Sequence, residues 1–240
     1  MFRALLDRVS NALPSQCAIC HAWPAQPVCE ACVTRFAQPK PRCKTCALPV
    51  PAQRERCAEC IRQAPPIDQC LAAVAYEYPW SELITRYKFG ASPGWSAALA
   101  LLMRSAPWTE PALEAADLVV PMPLSRQRLR QRGFNQALEL ARHLAPGHKT
   151  AVNALLRLRD TPAQSSLPRH ARLRNVQGAF YVAPGSEAQI EGKRVVLVDD
   201  VMTSGASLHA AAQALRLAGA AHITGLVLAR TEATDSNPPA

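Results

Sequence analysis

The sequence lacks several features that would assign the protein to a class at once. It contains neither a Gly-x-x-x-x-Gly-Lys-Ser/Thr loop nor a Gly-x-Gly-x-x-Gly turn, which disfavours nucleotide hydrolysis and hydride transfer. No apolar run approaches the ~20 residues of a membrane-spanning helix. Residues 1–13 have apolar positions at helical spacing, but Asp7 and Arg8 interrupt them, whereas a secretory signal needs an uninterrupted apolar centre. We therefore expect a short amphipathic helix there and no membrane insertion.

Aromatic residues are scarce, at 5% of the chain, and acidic residues are scarce in one long segment. Residues 121–180 contain eleven Lys or Arg and two acids, so this segment carries the whole net charge of +9. Such a segment favours an anionic ligand, and diphosphate and nucleic acid both qualify. Its few aromatics, Phe134, Phe180 and the adjacent Tyr181, offer little base stacking. Any contact with single-stranded DNA would therefore be mainly electrostatic and strongly salt-dependent.

Eight of the nine cysteines form four Cys-x-x-Cys pairs near the start of the chain. A secreted disulfide framework could also use eight cysteines, but four repeats of one spacing without a secretory signal favour metal. Two residues between thiolates let both sulfurs reach one tetrahedral Zn²⁺, and four thiolates leave no position open for substrate. The simplest pairing is sequential, giving two structural zinc ions, although the spacing also allows a crossed pairing. The proposed ligands are Cys17, Cys20, Cys29, Cys32, Cys43, Cys46, Cys57 and Cys60.

Residues 195–207 are the most informative stretch of the sequence. The apolar run 195–198 is typical of a strand buried in a parallel sheet. Asp199 and Asp200 follow it, at the end of the strand where such sheets place their functional sites. The residues that open the next helix offer N–H groups and hydroxyls to an anion; they are Thr203, Ser204, Gly205, Ala206 and Ser207. An ordinary buried strand with a capped helix would not explain two acids at a buried strand end, where a charge costs free energy. The pattern therefore favours a phosphorylated sugar as the ligand.

Another short strand is predicted at 117–120, and a basic element follows it within the 121–180 segment. It is predicted as a loop in which Arg126, Arg128, Arg130 and Arg132 alternate with other residues, before a helix that begins near Asn135. A charge run is usually a solvated face, but this one follows a parallel-strand end and should open onto the same rim as Asp199. The planar guanidinium matches phosphate oxygens, which makes diphosphate or a nucleic-acid backbone its expected ligand.

Several blocks in one order resemble the ComF family, the competence-associated branch of the phosphoribosyltransferase-like proteins. The 195–207 stretch resembles the phosphoribosyltransferase signature that binds 5-phosphoribosyl-1-diphosphate (PRPP). The likeness covers nearly the whole chain. Besides the cysteine pairs and this signature, the blocks that carry it are Tyr87–Gly90, Val120–Leu124, Arg132–Gln136, Asp160–Gln164 and Arg174–Phe180.

The resemblance implies an α/β fold, a type I phosphoribosyltransferase-like parallel sheet flanked by helices, with a small N-terminal zinc-ribbon module. The expected domains are 1–66 for the initial helix and double zinc ribbon, 67–232 for the phosphoribosyltransferase-like domain and 233–240 for a disordered tail. It also implies a cytoplasmic protein of DNA uptake, with single-stranded DNA held by residues 121–180 and competence proteins as partners.

Two hypotheses for the activity follow from the resemblance. In the first, the protein is an enzyme that transfers phosphoribosyl from PRPP with Mg²⁺. Asp199 and Asp200 hold the ribose hydroxyls, residues 203–207 hold the 5-phosphate, and the arginines of the basic element, taken as Arg126, Arg130 and Arg132, assist the diphosphate. In the second, the same pocket binds PRPP or single-stranded DNA without catalysis. The paired acids are compatible with both hypotheses, and no segment of the sequence identifies the substrate that would accept the phosphoribosyl group.

Overall fold

The computed structural model describes residues 15–90, 93–158 and 178–232. The chain forms two compact units, which meet in sequence between Gln38 and Pro39. The predicted helix at residues 1–13, most of the basic stretch between Asp160 and Phe180, and the predicted tail at 233–240 lie outside the described residues. The domain boundary predicted at residue 66 stays a prediction.

The first unit contains the first four cysteines. An isolated antiparallel bridge joins Ser15 and Ala25, and helix α1 follows at Glu30–Phe36. Cys29 is the N-cap of α1, and Cys32 lies inside its first turn. The helix therefore fixes the spacing of the second cysteine pair.

The second unit alternates strands and helices. A short helix, Ala58–Arg62, follows Cys57 and contains Cys60, and the sheet begins after it. Short 3₁₀ turns at Pro93–Trp95 and Gly147–Lys149 complete the unit. The elements are α2 (Ala58–Arg62), β1 (Gln69–Ala75), α3 (Trp80–Phe89), α4 (Ser96–Ser105), α5 (Thr109–Glu114), β2 (Leu118–Pro121), α6 (Arg126–Arg132), α7 (Gln136–Leu144), β3 (Leu155–Arg157), β4 (Phe180–Val182), α8 (Glu187–Ile190), β5 (Arg194–Met202), α9 (Ala206–Leu217) and β6 (His222–Arg230).

A four-stranded parallel sheet forms the centre of this unit, in the order β1–β6–β5–β2. Successive side chains of a strand point to opposite faces, and both faces are covered. Helix α4 packs against β1 and β6, α7 against β2 and β5, and α9 against β5 and the antiparallel β3–β4 pair. The predicted α/β class with a parallel sheet flanked by helices is thus confirmed.

The basic element after β2 differs from its prediction, because residues 126–132 form a helix and not a loop. Ser125 caps this helix by accepting the N–H of Arg128, at 3.3 Å. Gly133 ends it in the left-handed conformation, at φ 76°. Side chains four residues apart share a face of a helix, so the alternating arginines separate into two pairs. Helix α5 and the β3–β4 pair were not predicted.

In the part of the chain that the structure describes, no helix has both the length and the apolar character to cross a membrane.

Candidate functional site

A cavity of about 530 Å³ lies at the carboxyl end of the parallel sheet. Strand β5 continues beyond β2, whose last paired residue is Pro121 opposite Val198. The next two residues of β5 are Asp199 and Asp200, and both line the cavity. The position follows from the topology, since parallel strands present their carboxyl ends at one edge. The predicted pair of acids therefore stands at an open rim of the sheet.

Asp200 is the acid that contacts cations in this cavity. Its Oδ1 lies 3.1 Å from Lys88 Nζ, and its Oδ2 lies 3.9 Å from Arg132 Nη1. The three side chains are between 10% and 16% exposed, so water screens these pairs less than it screens surface ion pairs. Asp200 thus has its negative charge balanced at the floor of the cavity.

Among the described residues, Asp199 forms no ion pair of this kind, and its pKa is raised to about 7. Burial is the largest cause and the charge of Asp200 is the second, while Lys88 and Arg132 act in the opposite direction. Desolvation and a neighbouring like charge both favour the neutral carboxylic acid. The pair can therefore hold one proton on Asp199 near neutral pH and release it when a cation approaches.

Several contacts hold the cation Arg132 in place over the cavity. Its Nη1 donates to Gln136 Oε1 at 2.9 Å, and its guanidinium lies 5.5 Å from the centre of the Phe89 ring. The hydroxyl of the buried Tyr87 donates to the Gln136 carbonyl at 3.1 Å. Burial, the largest cause, and the charge of Asp200 raise the pKa of Tyr87, so this phenol keeps its proton. These contacts therefore fix the position of the Arg132 guanidinium in the ligand-free cavity.

The two faces of helix α6 separate the four arginines of the basic element. Arg128 and Arg132 line the cavity. Arg126 and Arg130 are exposed and do not belong to its described lining. The structure thus brings Arg132 to Asp200, keeps two of the predicted arginines away from it, and adds Arg128.

The 203–207 loop forms the opposite wall of the cavity. Thr203, Gly205, Ala206 and Ser207 line it, whereas Ser204 lines a neighbouring cavity. Gly205 caps the twelve-residue helix α9 at φ 81°, and a Cβ at this position would lie 2.5 Å from Met202 Cε. Glycine adopts this left-handed conformation without strain, and the end of the Met202 side chain would have to move to admit a Cβ. The turn leaves the first N–H groups of α9 near the cavity, where they suit an anion.

The cysteines form two tetrads, in the sequential pairing that was the simpler prediction. One tetrad contains Cys17, Cys20, Cys29 and Cys32, and the other contains Cys43, Cys46, Cys57 and Cys60. The recorded Sγ–Sγ distances are 3.8 Å for Cys17–Cys32, 3.6 Å for Cys20–Cys29 and 3.6 Å for Cys46–Cys57.

These distances fit a tetrahedral metal. Four sulfurs at about 2.3 Å from one Zn²⁺ lie about 3.8 Å apart, whereas a disulfide would need about 2.05 Å. His21, which follows the first cysteine pair, belongs to neither tetrad. Both sites can therefore hold a structural zinc ion through thiolates alone.

Comparisons with known proteins show which family the chain belongs to. A family model described as phosphoribosyl transferase domain matches residues 131–238. The DNA utilization protein YhgH of Salmonella typhimurium is 32% identical over 71% of this chain and 76% of its own. Competence protein F of Haemophilus influenzae is 32% identical over 71% of this chain and 76% of its own length. This chain belongs to the ComF family. Competence protein ComFC of Bacillus subtilis is 37% identical over 48% of this chain and 45% of its own.

Two cavity cations of this ComF-family chain, Lys88 and Arg157, were given no role from the sequence. Lys88 stands in the Tyr87–Gly90 block, which supported the resemblance, but its partner Asp200 is distant in sequence. Arg128 belonged to the predicted basic element, but a loop does not show that it shares a helix face with Arg132. The Ser125 cap and Gly133 were the signals that could have revealed helix α6, because they bracket seven residues without a proline.

The cavity can bind anions through its cationic side chains and amide groups, and cations through its carboxylates. The described lining offers four cations, Lys88, Arg128, Arg132 and Arg157, together with two carboxylates and the amide groups of the 203–207 loop. The ninth cysteine, Cys70, is 3% exposed, and its Sγ lies 3.6 Å from the Sδ of Met202, the residue before this loop.

Proposed function

We propose that the cavity binds PRPP together with Mg²⁺. The observation that carries this proposal is the position of Asp200, which pairs with Lys88 and Arg132 in the same cavity that the 203–207 loop lines. PRPP has a phosphate at one end, ribose hydroxyls in the middle and a diphosphate at the other end. The volume of about 530 Å³ lies within the range of small-molecule sites.

Each part of the ligand has a group of matching chemistry. The N–H groups and hydroxyls of the 203–207 loop would hold the 5-phosphate. Asp199 and Asp200 would accept hydrogen bonds from the ribose hydroxyls, which are donors that carboxylates bind well. Lys88, Arg128 and Arg132 would lie near the diphosphate, where a guanidinium can donate two parallel hydrogen bonds.

The two carboxylates also suit a divalent cation. Mg²⁺ prefers oxygen ligands and commonly binds through one or two carboxylates plus phosphate oxygens, and when bound it would supply positive charge to the diphosphate. Asp199 would lose its proton as that charge arrives. Binding of PRPP with Mg²⁺ should therefore release protons near neutral pH.

We infer a glycosyl transfer as the reaction class. The bond between the anomeric carbon and the diphosphate oxygen breaks, the diphosphate leaves with the electron pair, and an acceptor forms the new bond. Asp199 and Asp200 would stabilise positive charge at the sugar ring, and Lys88 and Arg132 the negative charge on the leaving group. Such a site works by positioning and electrostatics and needs no nucleophile of its own.

Calorimetric titration of PRPP with Mg²⁺ tests the binding. We expect saturable binding by the wild type and a loss of about 10- to 100-fold in affinity for Asp200→Asn. Asp117→Asn is the matched control, because Asp117 lies before β2 at the other end of the sheet, where its Oδ2 accepts the N–H of Arg194 at 2.8 Å. Equal affinity in Asp200→Asn, or no binding by the wild type, would refute the proposal.

A second candidate function is suggested by the outer face of helix α6. Arg126 and Arg130 are exposed, and relatives carry the names DNA utilization protein and competence protein. We infer that this face contacts the phosphates of single-stranded DNA in the cytoplasm, as part of the handling of incoming DNA. Arg126→Ala/Arg130→Ala should weaken that binding and reduce its salt dependence. Arg54→Ala/Arg56→Ala, which removes two exposed arginines elsewhere, should do neither, and equal losses in both variants would count against this surface.

A further inference from the structure

One buried arginine connects the second cysteine tetrad with the 203–207 loop. Arg230 ends strand β6 and is 3% exposed. Its Nε donates to the carbonyl of Cys46 at 2.8 Å. Its Nη1 donates to the carbonyl of Met202 at 3.1 Å and to that of Thr203. A single planar guanidinium is therefore bonded to a metal-ligating residue on one side and to the start of the loop on the other.

The contacts with the loop carbonyls also orient the amides that follow them. A trans peptide is planar, so its N–H points opposite to its C=O. With the carbonyls of Met202 and Thr203 turned toward Arg230, the N–H groups of Thr203 and Ser204 point away from it. The contact Thr231 N to Met202 O, at 3.1 Å, fixes the same peptide from the backbone. Arg230 thereby helps to set the conformation of the 203–207 loop.

The carbonyl of Cys46 depends in turn on the metal site. Cys46 is one of four thiolates whose geometry fits zinc, and the turn that carries it continues into Ala47 at φ 55°. A zinc ion with four thiolates has a net charge of −2, which complements the adjacent guanidinium. Without metal, this turn loses the constraint that holds its carbonyl toward Arg230, and a buried charge with fewer partners shifts to find others.

We propose that Arg230 is a positioning residue through which metal occupancy of the second tetrad controls the affinity of the 203–207 loop for a sugar phosphate. The ligand in this statement rests on the proposed function above. The first tetrad lies in the other compact unit and has no part in this coupling. The second tetrad is thus a regulatory element of the ligand site as well as a structural one.

A matched pair of cysteine variants tests the coupling. Cys29 and Cys57 are the third ligands of their tetrads, and each is the N-cap of a short helix with nearly the same backbone angles. With metal content measured in each protein, Cys57→Ser should weaken binding of PRPP with Mg²⁺ about tenfold. Cys29→Ser should change it by less than about twofold.

The double variant identifies Arg230 as the connection. In an Arg230→Met background, Cys57→Ser should add little further loss, because the path is already broken. Arg230→Lys keeps the charge but lacks the planar fork, so it should recover only part of the affinity. The proposal is overturned if Cys57→Ser leaves the affinity unchanged, or if the two losses multiply in the double variant.

Two rates keep the coupling testable if PRPP does not bind, or if Cys57→Ser does not fold. In the Cys29→Ser background, which leaves one intact tetrad, Arg230→Met should speed metal transfer to a chromophoric chelator. It should also speed hydrogen exchange at the amides of residues 203–207. In this variant the second tetrad stays attached to strand β1, because Cys70 N donates to Lys44 O at 2.7 Å. A change in either rate would therefore reflect the lost Arg230 contacts and not detachment of the tetrad from the sheet. Unchanged rates refute the coupling itself, whereas absent PRPP binding by the wild type refutes only the proposed ligand.

Discussion

The two cysteine tetrads have nearly the same local structure. In each, the residue after the first cysteine pair has a positive φ, 59° at His21 and 55° at Ala47. Its N–H donates to the carbonyl of the first cysteine, at 2.9 Å in the first tetrad and 2.8 Å in the second. One repeated spacing therefore produces one repeated metal-binding turn, whatever surrounds it.

The surroundings of the two tetrads differ. In the first unit, Cys20 is exposed and Cys29 half-buried. In the second unit, Cys43, Cys46 and Cys60 belong to the buried cluster that also contains side chains of the sheet and of α9. The comparison teaches that a metal motif specifies its own turn, while the packing around it decides whether metal stabilises a small module or the main core.

The largest expected effect compares the first cysteine of each tetrad. Cys17 and Cys43 are both fully buried. Cys43→Ser should lower the melting temperature of the second unit by more than about 10 °C, because the metal site is part of its core. Cys17→Ser should leave that transition within about 2 °C, as followed by calorimetry. Equal shifts would show that the two tetrads stabilise the same unit.

The next effect tests whether the ligand site belongs to the second unit alone. Lys88→Met removes the cation 3.1 Å from Asp200 and should weaken binding of PRPP with Mg²⁺ by about 10-fold or more. Arg35→Met, which removes a cation stacked on Phe36 in the first unit, should not change it. Fluorescence or calorimetric titration measures both constants, and a loss in Arg35→Met would contradict this division.

A smaller effect separates steric crowding from backbone strain in the second unit. Gly205 and Gly185 both have a positive φ, at 81° and 84°, but only at Gly205 would a Cβ contact other atoms within 4 Å. Gly185→Ala should cost about 1 kcal/mol of unfolding free energy from strain alone. Gly205→Ala should cost about 1–3 kcal/mol more and weaken phosphate binding. Denaturant unfolding compares them, and equal costs would mean that the loop has room to adjust.

The smallest effect concerns pH. Because Asp199 binds its proton more tightly in the folded than in the unfolded chain, the free energy of unfolding falls as the pH rises from about 4 to about 7. Asp199→Asn removes this loss, so the ligand-free second unit should melt several degrees higher at about pH 8 and show little gain at about pH 4. A gain that does not depend on pH would contradict the raised pKa.

Patterns that act over short distances were predictable from the sequence. The cysteine spacing predicted two metal sites, and the run before Asp199 predicted a parallel strand whose end lies at a cavity. These features depend on neighbouring residues alone.

Features that depend on distant contacts were not predictable. Lys88 reaches Asp200 only because α3 and β5 meet at one rim, and Arg230 reaches Cys46 only because β6 ends beside the second tetrad. Helix α6 was missed for a local reason, because its alternating arginines suggested an extended charge run and outweighed the cap at Ser125. Sequence patterns therefore predicted the elements better than the partners of charged side chains.

Hydrogen exchange with and without PRPP and Mg²⁺ tests the central claim most directly. The account predicts slower exchange at the amides of residues 203–207 when both are present, with unchanged exchange at residues 15–38 in the first unit. The same protection should be lost in Asp200→Asn. Protection that is absent from the 203–207 loop, or that appears in the first unit instead, would contradict the assignment of the ligand site.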